Sequence, residues 1–470
     1  MLARQAIGQM GVLALTVGIG IALGASFSQP AAQKLVMAGV LAMLAVVGYM
    51  MAPEVAILSL VVLRPVVDAY VYISVAGLSL GVLWAGLMTV FCAVYLLTHS
   101  SGLRRISQRL AAPLLFLALF AALTLARPGW TSAVAVALKV GAWLILAVTI
   151  AAIASQRQGR ATVLRYMGYA AVATAATMLI LVVQNRFGAA YYGVASASGE
   201  NAGPHALASL AVAALPFALW GILAQKRTAI PIITTVALSL GIVLSYVRSA
   251  YLGFAVIMLV FAAIALKDTR LRTQMSAVGF FAAVAAIGYY AQDTIVPRLL
   301  DLVGRGPESV SGSAGSGRTE IWSAVLHQSL ATPLRAMLGD GAGASTRYIV
   351  DAGLPSLWAH SDPLEVLASG GVVLLCGYLA LLWWMARPTI SVARMRTADG
   401  PTRCFGRLAI AAVVAYVIMS LTNGMVFFQS SAYVGVLVGV CYGFLAEDGT
   451  ELAASRDNRA VGTSRVRHRM

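Results

Sequence analysis

Apolar runs of about 20 residues recur along the whole chain, and this repetition limits the possible folds more than any other feature of the sequence. A helix of about 20 apolar residues is long enough to cross the hydrocarbon core of a bilayer. Helices also satisfy their own backbone polar groups, as a bilayer requires. Hydrophobic residues make up 60% of the sequence and charged residues only 11%, which excludes a soluble globule. We therefore predict an all-α, polytopic membrane helical bundle.

The apolar runs predict twelve to fourteen transmembrane helices. Fourteen follow if every run crosses the membrane, and twelve if the short 55–63 segment or the tight pairs at 229–266 and 408–446 are re-entrant. The first run is too long for the apolar region of a cleaved signal peptide, so it is interpreted as an uncleaved span. The predicted spans fall near residues 7–27, 35–52, 55–63, 77–97, 112–126, 133–154, 167–184, 205–224, 229–246, 250–266, 274–291, 364–386, 408–428 and 431–446.

The same runs predict a division of the chain into four parts. N-terminal transmembrane helices (1–291) precede a long polar loop (292–362), C-terminal transmembrane helices (363–446) and a basic tail (447–470) whose polar composition predicts disorder.

The distribution of basic residues predicts the orientation. With the N-terminus in the cytoplasm, 22 of the 33 Lys and Arg residues lie on the cytoplasmic side, but only 7 of the 17 acidic residues. The positive-inside rule favours this arrangement, with both termini cytoplasmic and the 292–362 loop outside. The net charge of +16 is then a topology signal with a contribution from contacts to membrane lipids, and a nucleic-acid partner is not needed.

The long loop contains the first candidate for chemistry, His360. An amphipathic helix is predicted earlier in the loop, with Ile321, Trp322, Val325 and Leu326 on one face and Leu330 closing it.

His360 directly precedes a predicted span whose N-cap is Ser361 or Asp362, with Glu365 completing a capping box if Asp362 is the cap. The helix dipole and nearby arginines disfavour the imidazolium, so His360 is predicted to be neutral and able to accept a proton.

Arginines at the predicted outer surface are candidate ligands for a diphosphate, because a guanidinium matches phosphate oxygens at two points. Arg248 lies between two apolar runs and Arg318 begins the loop helix. The alternatives are a snorkelling membrane anchor for Arg248 and a solvated loop charge for Arg318. Arg186 and Arg64 have weaker claims, and Arg64 has the alternative of pairing with Asp68.

No metal site is predicted. The outer loops contain no Asp-x-Asp pair and no cluster of His, Cys and carboxylate side chains. The run Gly339-Asp-Gly-Ala-Gly343 resembles a dinucleotide-binding pattern, but no strand precedes it, so it is interpreted as a turn.

Four segments together resemble the O-antigen ligase and polymerase superfamily. They are Arg248-Ser-Ala-Tyr-Leu-Gly253, Arg318-Thr-Glu-Ile-Trp322, Gly339-Asp-Gly-Ala-Gly343 and His360-Ser-Asp-Pro-Leu-Glu365. The resemblance spans roughly residues 180–375. One departure concerns the acceptor class: the family usually has Asn after the histidine, and this chain has Ser361.

The resemblance implies a multi-pass glycosyltransferase of the GT-C kind in the bacterial inner membrane, with its active site in the periplasm. Such an enzyme transfers a glycan from undecaprenyl diphosphate to a sugar hydroxyl, for example on lipid A-core, without metal, ATP or cofactor. His360 would be the base, and Arg248 and Arg318 would hold the diphosphate. The nearest alternative is a polysaccharide polymerase that uses a second lipid-linked glycan as acceptor. A transporter or flippase is disfavoured, because few ionisable residues lie mid-membrane, Lys139 being the main exception.

Overall fold

The protein is described from a computed structural model. The described residues are 46–69, 74–75, 78–99, 111–125, 130–183, 203–224, 229–245, 247–267, 318–354, 359–395, 399–422, 424 and 431–446.

Helices form nearly all of the described structure, in agreement with the predicted all-α class. Apart from them, two short strands, β1 (Ser74–Val75) and β2 (Leu78–Ser79), make an antiparallel pair. The helices are α1 (Pro53–Val62), α2 (Arg64–Ala69), α3 (Leu80–Thr98), α4 (Ala111–Leu125), α5 (Trp130–Ala154), α6 (Arg157–Val183), α7 (Gly203–Ala224), α8 (Ala229–Leu244), α9 (Arg248–Lys267), α10 (Arg318–Ser329), α11 (Pro333–Leu338), α12 (Ala344–Asp351), α13 (Asp362–Arg394), α14 (Gly400–Thr422) and α15 (Ser431–Ala446).

Seven helices in the described parts of the chain are long and apolar enough to cross a membrane. They lie in α3, α5, α6, α7, α9, α13 and α14, and shorter apolar helices occupy α4, α8 and α15. The chain is therefore a multi-pass membrane protein. The predicted spans 7–27 and 274–291, most of 35–52, and the tail 447–470 lie outside the described residues, so the number of twelve to fourteen spans stays a prediction.

Several helix boundaries differ from the predicted spans. The 55–63 segment is α1, a helix of 10 residues and about 15 Å that is too short to cross the bilayer alone. Helix α6 begins at Arg157, ten residues before the predicted span, because arginine and glutamine are good helix formers and continue the helix. Helix α13 runs for 33 residues, to Arg394 and past Pro388.

Helices α5 and α15 approach closely along a row of glycines. Gly435, Gly439 and Gly443 follow one another at intervals of four residues on α15. A Cβ atom at Gly439 would lie 2.5 Å from the Ala147 carbonyl oxygen, and one at Gly443 would lie 2.6 Å from the Ala154 Cβ. Small residues at this spacing let membrane helices pack backbone to backbone, which compensates for the missing hydrophobic driving force in lipid.

Helix α13 is broken at Gly371, which has φ 64° and ψ −163°. A break frees the carbonyl groups of the preceding turn, and these need new donors. The Asp340 N–H donates to the Ala368 carbonyl at 2.8 Å, and the Gly341 N–H donates to the Ser369 carbonyl at 2.9 Å. The predicted turn at 339–343 is therefore confirmed, and it also caps the broken helix.

Candidate active site

His360 lies in the short connection that leads into α13, between Ala359 and the N-cap residue Ser361. Its φ is 51°, and in the described parts of the chain no other residue except glycine has a positive φ. This conformation costs a non-glycine residue about 1–2 kcal/mol. It persists only where surrounding contacts impose it, which is a recurrent property of functional sites.

The residue before His360 is held on both sides of its backbone. The Ala359 N–H donates to Glu365 Oε1 at 2.9 Å, and the Ala359 carbonyl accepts a hydrogen bond from Trp322 Nε1 at 2.7 Å. Trp322 is one helical turn after Arg318 on α10. The tryptophan bond therefore ties the helix that carries Arg318 to the segment that carries His360.

The start of α13 differs in one respect from the sequence-based expectation. Ser361 is the N-cap, so the capping box that required Asp362 as the cap does not form. Instead, the Glu365 N–H donates to the Ser361 carbonyl at 2.9 Å, and the Glu365 carboxylate reaches back beyond the cap to Ala359. The second carboxylate oxygen accepts a hydrogen bond from the Ser345 hydroxyl on α12.

Arg318 acts electrostatically on His360. Burial lowers the pKa of His360, and the positive charge of Arg318 lowers it further, from 6.5 to about 4. The imidazole is therefore neutral near pH 7 and can accept a proton. Its neutrality agrees with the prediction, but the main cause is burial, which the sequence did not show. Arg318 itself is half-buried at the first position of α10.

The other three predicted arginines are placed differently. Arg64 is buried and forms an ion pair with Asp68, with Arg64 Nε 3.0 Å from Asp68 Oδ2. Its guanidinium also lies 4.6 Å from the centre of a Trp84 ring. The pairing that the sequence offered as an alternative for Arg64 is therefore present. Arg248 is the first residue of α9, which packs on α14, and α14 packs on α13. Arg186 lies outside the described residues.

Residues 233–379 match the family model described as O-antigen ligase. This stretch of the chain is similar to O-antigen ligases. The resemblance to the O-antigen ligase and polymerase superfamily is thus confirmed over a region that contains Arg248, Arg318, the 339–343 turn and His360. Arg64 and Arg186 lie before the matched region. No curated protein matches the chain.

Within the matched region, sequence reasoning missed the roles of Trp322, Ser345 and Glu365. Trp322 was assigned to an apolar helix face, and it is partly buried there, but its indole N–H makes the bond to Ala359. A buried indole N–H needs a hydrogen-bond acceptor, and this requirement indicates such a contact for a tryptophan on an apolar helix face.

The predicted apolar face of α10 is correct for Ile321 and Val325, which are buried. It is wrong for Leu326 and Leu330, which are 44% and 51% exposed.

Asp340 organises the turn at 339–343 that caps the break in α13. Its carboxylate pairs with Arg335, Nε to Oδ2 at 3.0 Å, and accepts the Tyr348 hydroxyl at 2.7 Å. Its carbonyl accepts a hydrogen bond from Arg347 at 2.7 Å. Burial and the hydrogen bond to Asp340 raise the pKa of Tyr348. Two of the arginines in the loop are thus engaged in holding the turn between α11 and α12.

Proposed function

We propose that the protein is a glycosyltransferase of the O-antigen ligase type. It transfers a glycan from undecaprenyl diphosphate to an acceptor sugar hydroxyl, such as one on lipid A-core, at the periplasmic face of the bacterial inner membrane. The observation that carries the proposal is His360, which has a left-handed backbone and a pKa lowered by burial and by the charge of Arg318, inside a region that matches the O-antigen ligase family. One group can take a proton and the other can hold an anion.

The proposed reaction assigns one task to each group. The neutral His360 ring accepts the proton of the acceptor hydroxyl as the hydroxyl oxygen forms a bond to the anomeric carbon of the donor sugar. The bond between that carbon and the diphosphate breaks, and its electron pair leaves with the diphosphate. Arg318 and Arg248 stabilise the charge that develops on the leaving group, so neither metal nor ATP is required. Arg186 and Arg64 stay predictions for donor binding and have no assigned step.

Donor binding should also strengthen the base. Arg318 is one of the two causes of the low pKa of His360. A diphosphate bound at Arg318 offsets its positive charge, so the pKa of His360 rises when the donor is in place. His360 would then be a stronger base when the donor is bound than when the site is empty.

The test replaces His360 by Asn in a strain that lacks the chromosomal gene. Asparagine tolerates a positive φ, so we expect the fold to be retained. Its amide cannot accept the proton. We expect transfer of glycan to fall by about 10²–10⁴-fold, the usual effect of losing a general base. The matched control is His327→Asn, because His327 is exposed on α10 and should be replaceable without loss.

Two measurements make the test decisive. Purified variants are assayed for transfer from undecaprenyl-diphosphate glycan with EDTA present, and the length of the product distinguishes ligase from polymerase. Transfer by folded His360→Asn at the rate of the unmodified protein would exclude His360 as the base.

A further prediction concerns Arg318. Arg318→Lys keeps the positive charge but loses the planar, two-point geometry. We expect it to bind undecaprenyl diphosphate more weakly while His360 keeps its low pKa. Arg318→Ala should weaken binding and also raise the pKa of His360. Binding of undecaprenyl diphosphate by Arg318→Ala at the affinity of the unmodified protein would remove Arg318 from the donor site.

A further inference from the structure

Contacts from three helices converge on the segment that carries His360. Trp322 on α10 holds the Ala359 carbonyl, and Glu365 on α13 holds the Ala359 N–H. Ser345 on α12 donates its hydroxyl to the other oxygen of Glu365. Ala359 is fully buried, so these bonds are shielded from water. A single short connection is therefore fixed from α10, α12 and α13 together.

Glu365 is not used as an ordinary helix cap. A carboxylate near a helix start normally bonds the N–H of the N-cap residue, whereas Glu365 reaches two residues further upstream. It is only 7% exposed, and burial of a carboxylate is unfavourable unless its oxygens are hydrogen-bonded. Both oxygens are bonded, one to the Ala359 N–H and one to Ser345. The contact therefore serves the Ala359–Ser361 segment more than the helix end.

The conformation of His360 explains why such a contact is needed. At φ 51° its backbone is in the left-handed region, which a histidine leaves when nothing imposes it. Relaxation to a negative φ would move the ring out of its present position. The bonds to Ala359, the residue directly before His360, oppose this relaxation.

We propose that Glu365 is a positioning residue for His360, oriented by Ser345 and assisted by Trp322. Its carboxylate fixes the backbone of Ala359 and so keeps the His360 ring in its buried position. The effect on transfer rate depends on the proposed function, in which His360 is the base. The effect on the placement of the His360 ring does not depend on it.

The experiment compares four variants of the full-length protein. Glu365→Ala removes both hydrogen bonds. Glu365→Gln keeps them, because its carbonyl accepts from the Ala359 N–H and its amide donates to the Ser345 oxygen. Ser345→Ala removes only the orienting bond. Ser329→Ala is the matched control, since Ser329 is fully buried in the same region and its hydroxyl has no hydrogen-bond partner among the described residues.

Three quantities are measured for each variant: the transfer rate, the affinity for undecaprenyl diphosphate alone, and the titration of the His360 ring by NMR. The His360 signal is identified by its absence from the His360→Asn spectrum. For Glu365→Ala we expect a rate loss of about 100-fold, since a displacement of about 1 Å in a catalytic site can cost that much. Affinity should be unchanged, and the His360 titration should move up from about 4 as the ring gains solvent. Glu365→Gln and Ser329→Ala should match the unmodified protein, and Ser345→Ala should lie between.

Two results would overturn the proposal. One is an unchanged His360 titration and rate in Glu365→Ala. The other is an equal loss of rate in Glu365→Gln and Glu365→Ala with the His360 titration unmoved, which would mean that the charge of Glu365 acts directly. A shifted titration in Glu365→Ala together with full transfer by His360→Asn would instead uphold the positioning role and refute the proposed function.

Discussion

At the residue scale, His360 combines an unusual backbone with an unusual pKa. Its φ is left-handed, and burial is the larger cause of the lowered pKa. The positive charge of Arg318 is the smaller cause. A histidine with this pKa stays neutral in mildly acidic solution, where a surface histidine is protonated.

The pH dependence of transfer should show this resistance. The folded pKa of His360 is below the ordinary value, so the neutral form persists as the pH falls through 6.5 and is lost only near 4. We expect kcat/KM, which reports the free enzyme, to show no loss from His360 between about pH 8 and pH 5. A decline centred near pH 6.5 in the unmodified protein would show that His360 is solvated and not perturbed.

Arg64 gives a second prediction at the residue scale. If the buried ion pair between Arg64 and Asp68 can be replaced by apolar side chains, the role of Arg64 is structural. Removing one partner leaves a buried charge, which typically costs about 3–5 kcal/mol, whereas removing both is often neutral. We therefore expect Asp68→Leu to lower the thermal stability strongly, and the Arg64→Met, Asp68→Leu double variant to recover both stability and transfer. A stable double variant without donor binding would instead support Arg64 as a diphosphate ligand.

At the scale of elements, the broken helix α13 joins helices α10, α11 and α12 to the membrane helices. The first part of α13 begins next to His360, and the second part continues from the break to Arg394. The turn at 339–343 fits against the break, backbone to backbone. A Cβ at Gly371 would lie 2.3 Å from the Met337 carbonyl carbon, and one at Gly339 would lie 2.4 Å from the Gly370 nitrogen.

Substitution of these glycines should separate close packing from backbone conformation. Gly371→Ala and Gly339→Ala combine a positive φ with a steric clash. The control Gly353→Ala has φ 69° and open space around the new Cβ, so it carries only the conformational cost of about 1–2 kcal/mol. We expect the first two variants to lose considerably more thermal stability than the control. Equal losses in all three would mean that the turn does not dock tightly on α13.

At the scale of the whole molecule, the membrane helices provide a framework, and the helices between α9 and α13 pack against the segment that carries the candidate base His360. Helices α10, α11 and α12 all pack on α13, and α13 packs on α4 and α14. His360 therefore lies where helices α10, α11 and α12 meet the membrane helices. This arrangement would suit the proposed reaction, in which a lipid carrier in the bilayer donates a glycan.

The orientation of the molecule is a prediction at this scale. The excess of basic residues on one side predicts that the loop between α10 and α11 is outside and that the start of α14 is inside. In a variant without native cysteines, Ala331→Cys should react with a membrane-impermeant maleimide in intact cells. Thr402→Cys should react only after the membrane is permeabilised. Labelling of Thr402→Cys in intact cells would reverse the assigned topology.

The class of the fold and the segments that carry the candidate site residues could be predicted from the order of the amino acids. Apolar runs specify membrane helices because a helix satisfies its backbone within its own length, without a partner. Local sequence patterns also predicted the region that matches the family, the start of α13 and the turn at 339–343. His360 and Arg318 could be named because their residue types and their order along the chain carry the signal.

How those segments contact one another follows from the packing of the folded chain. The bond from Trp322 to Ala359 joins residues 37 positions apart, and that from Ser345 to Glu365 joins residues 20 apart. The docking of Gly339 on Gly371 and the burial of His360 likewise depend on neighbours from distant segments. Local patterns cannot specify such contacts, because the energy of a buried polar group depends on which partner folding brings within hydrogen-bond distance.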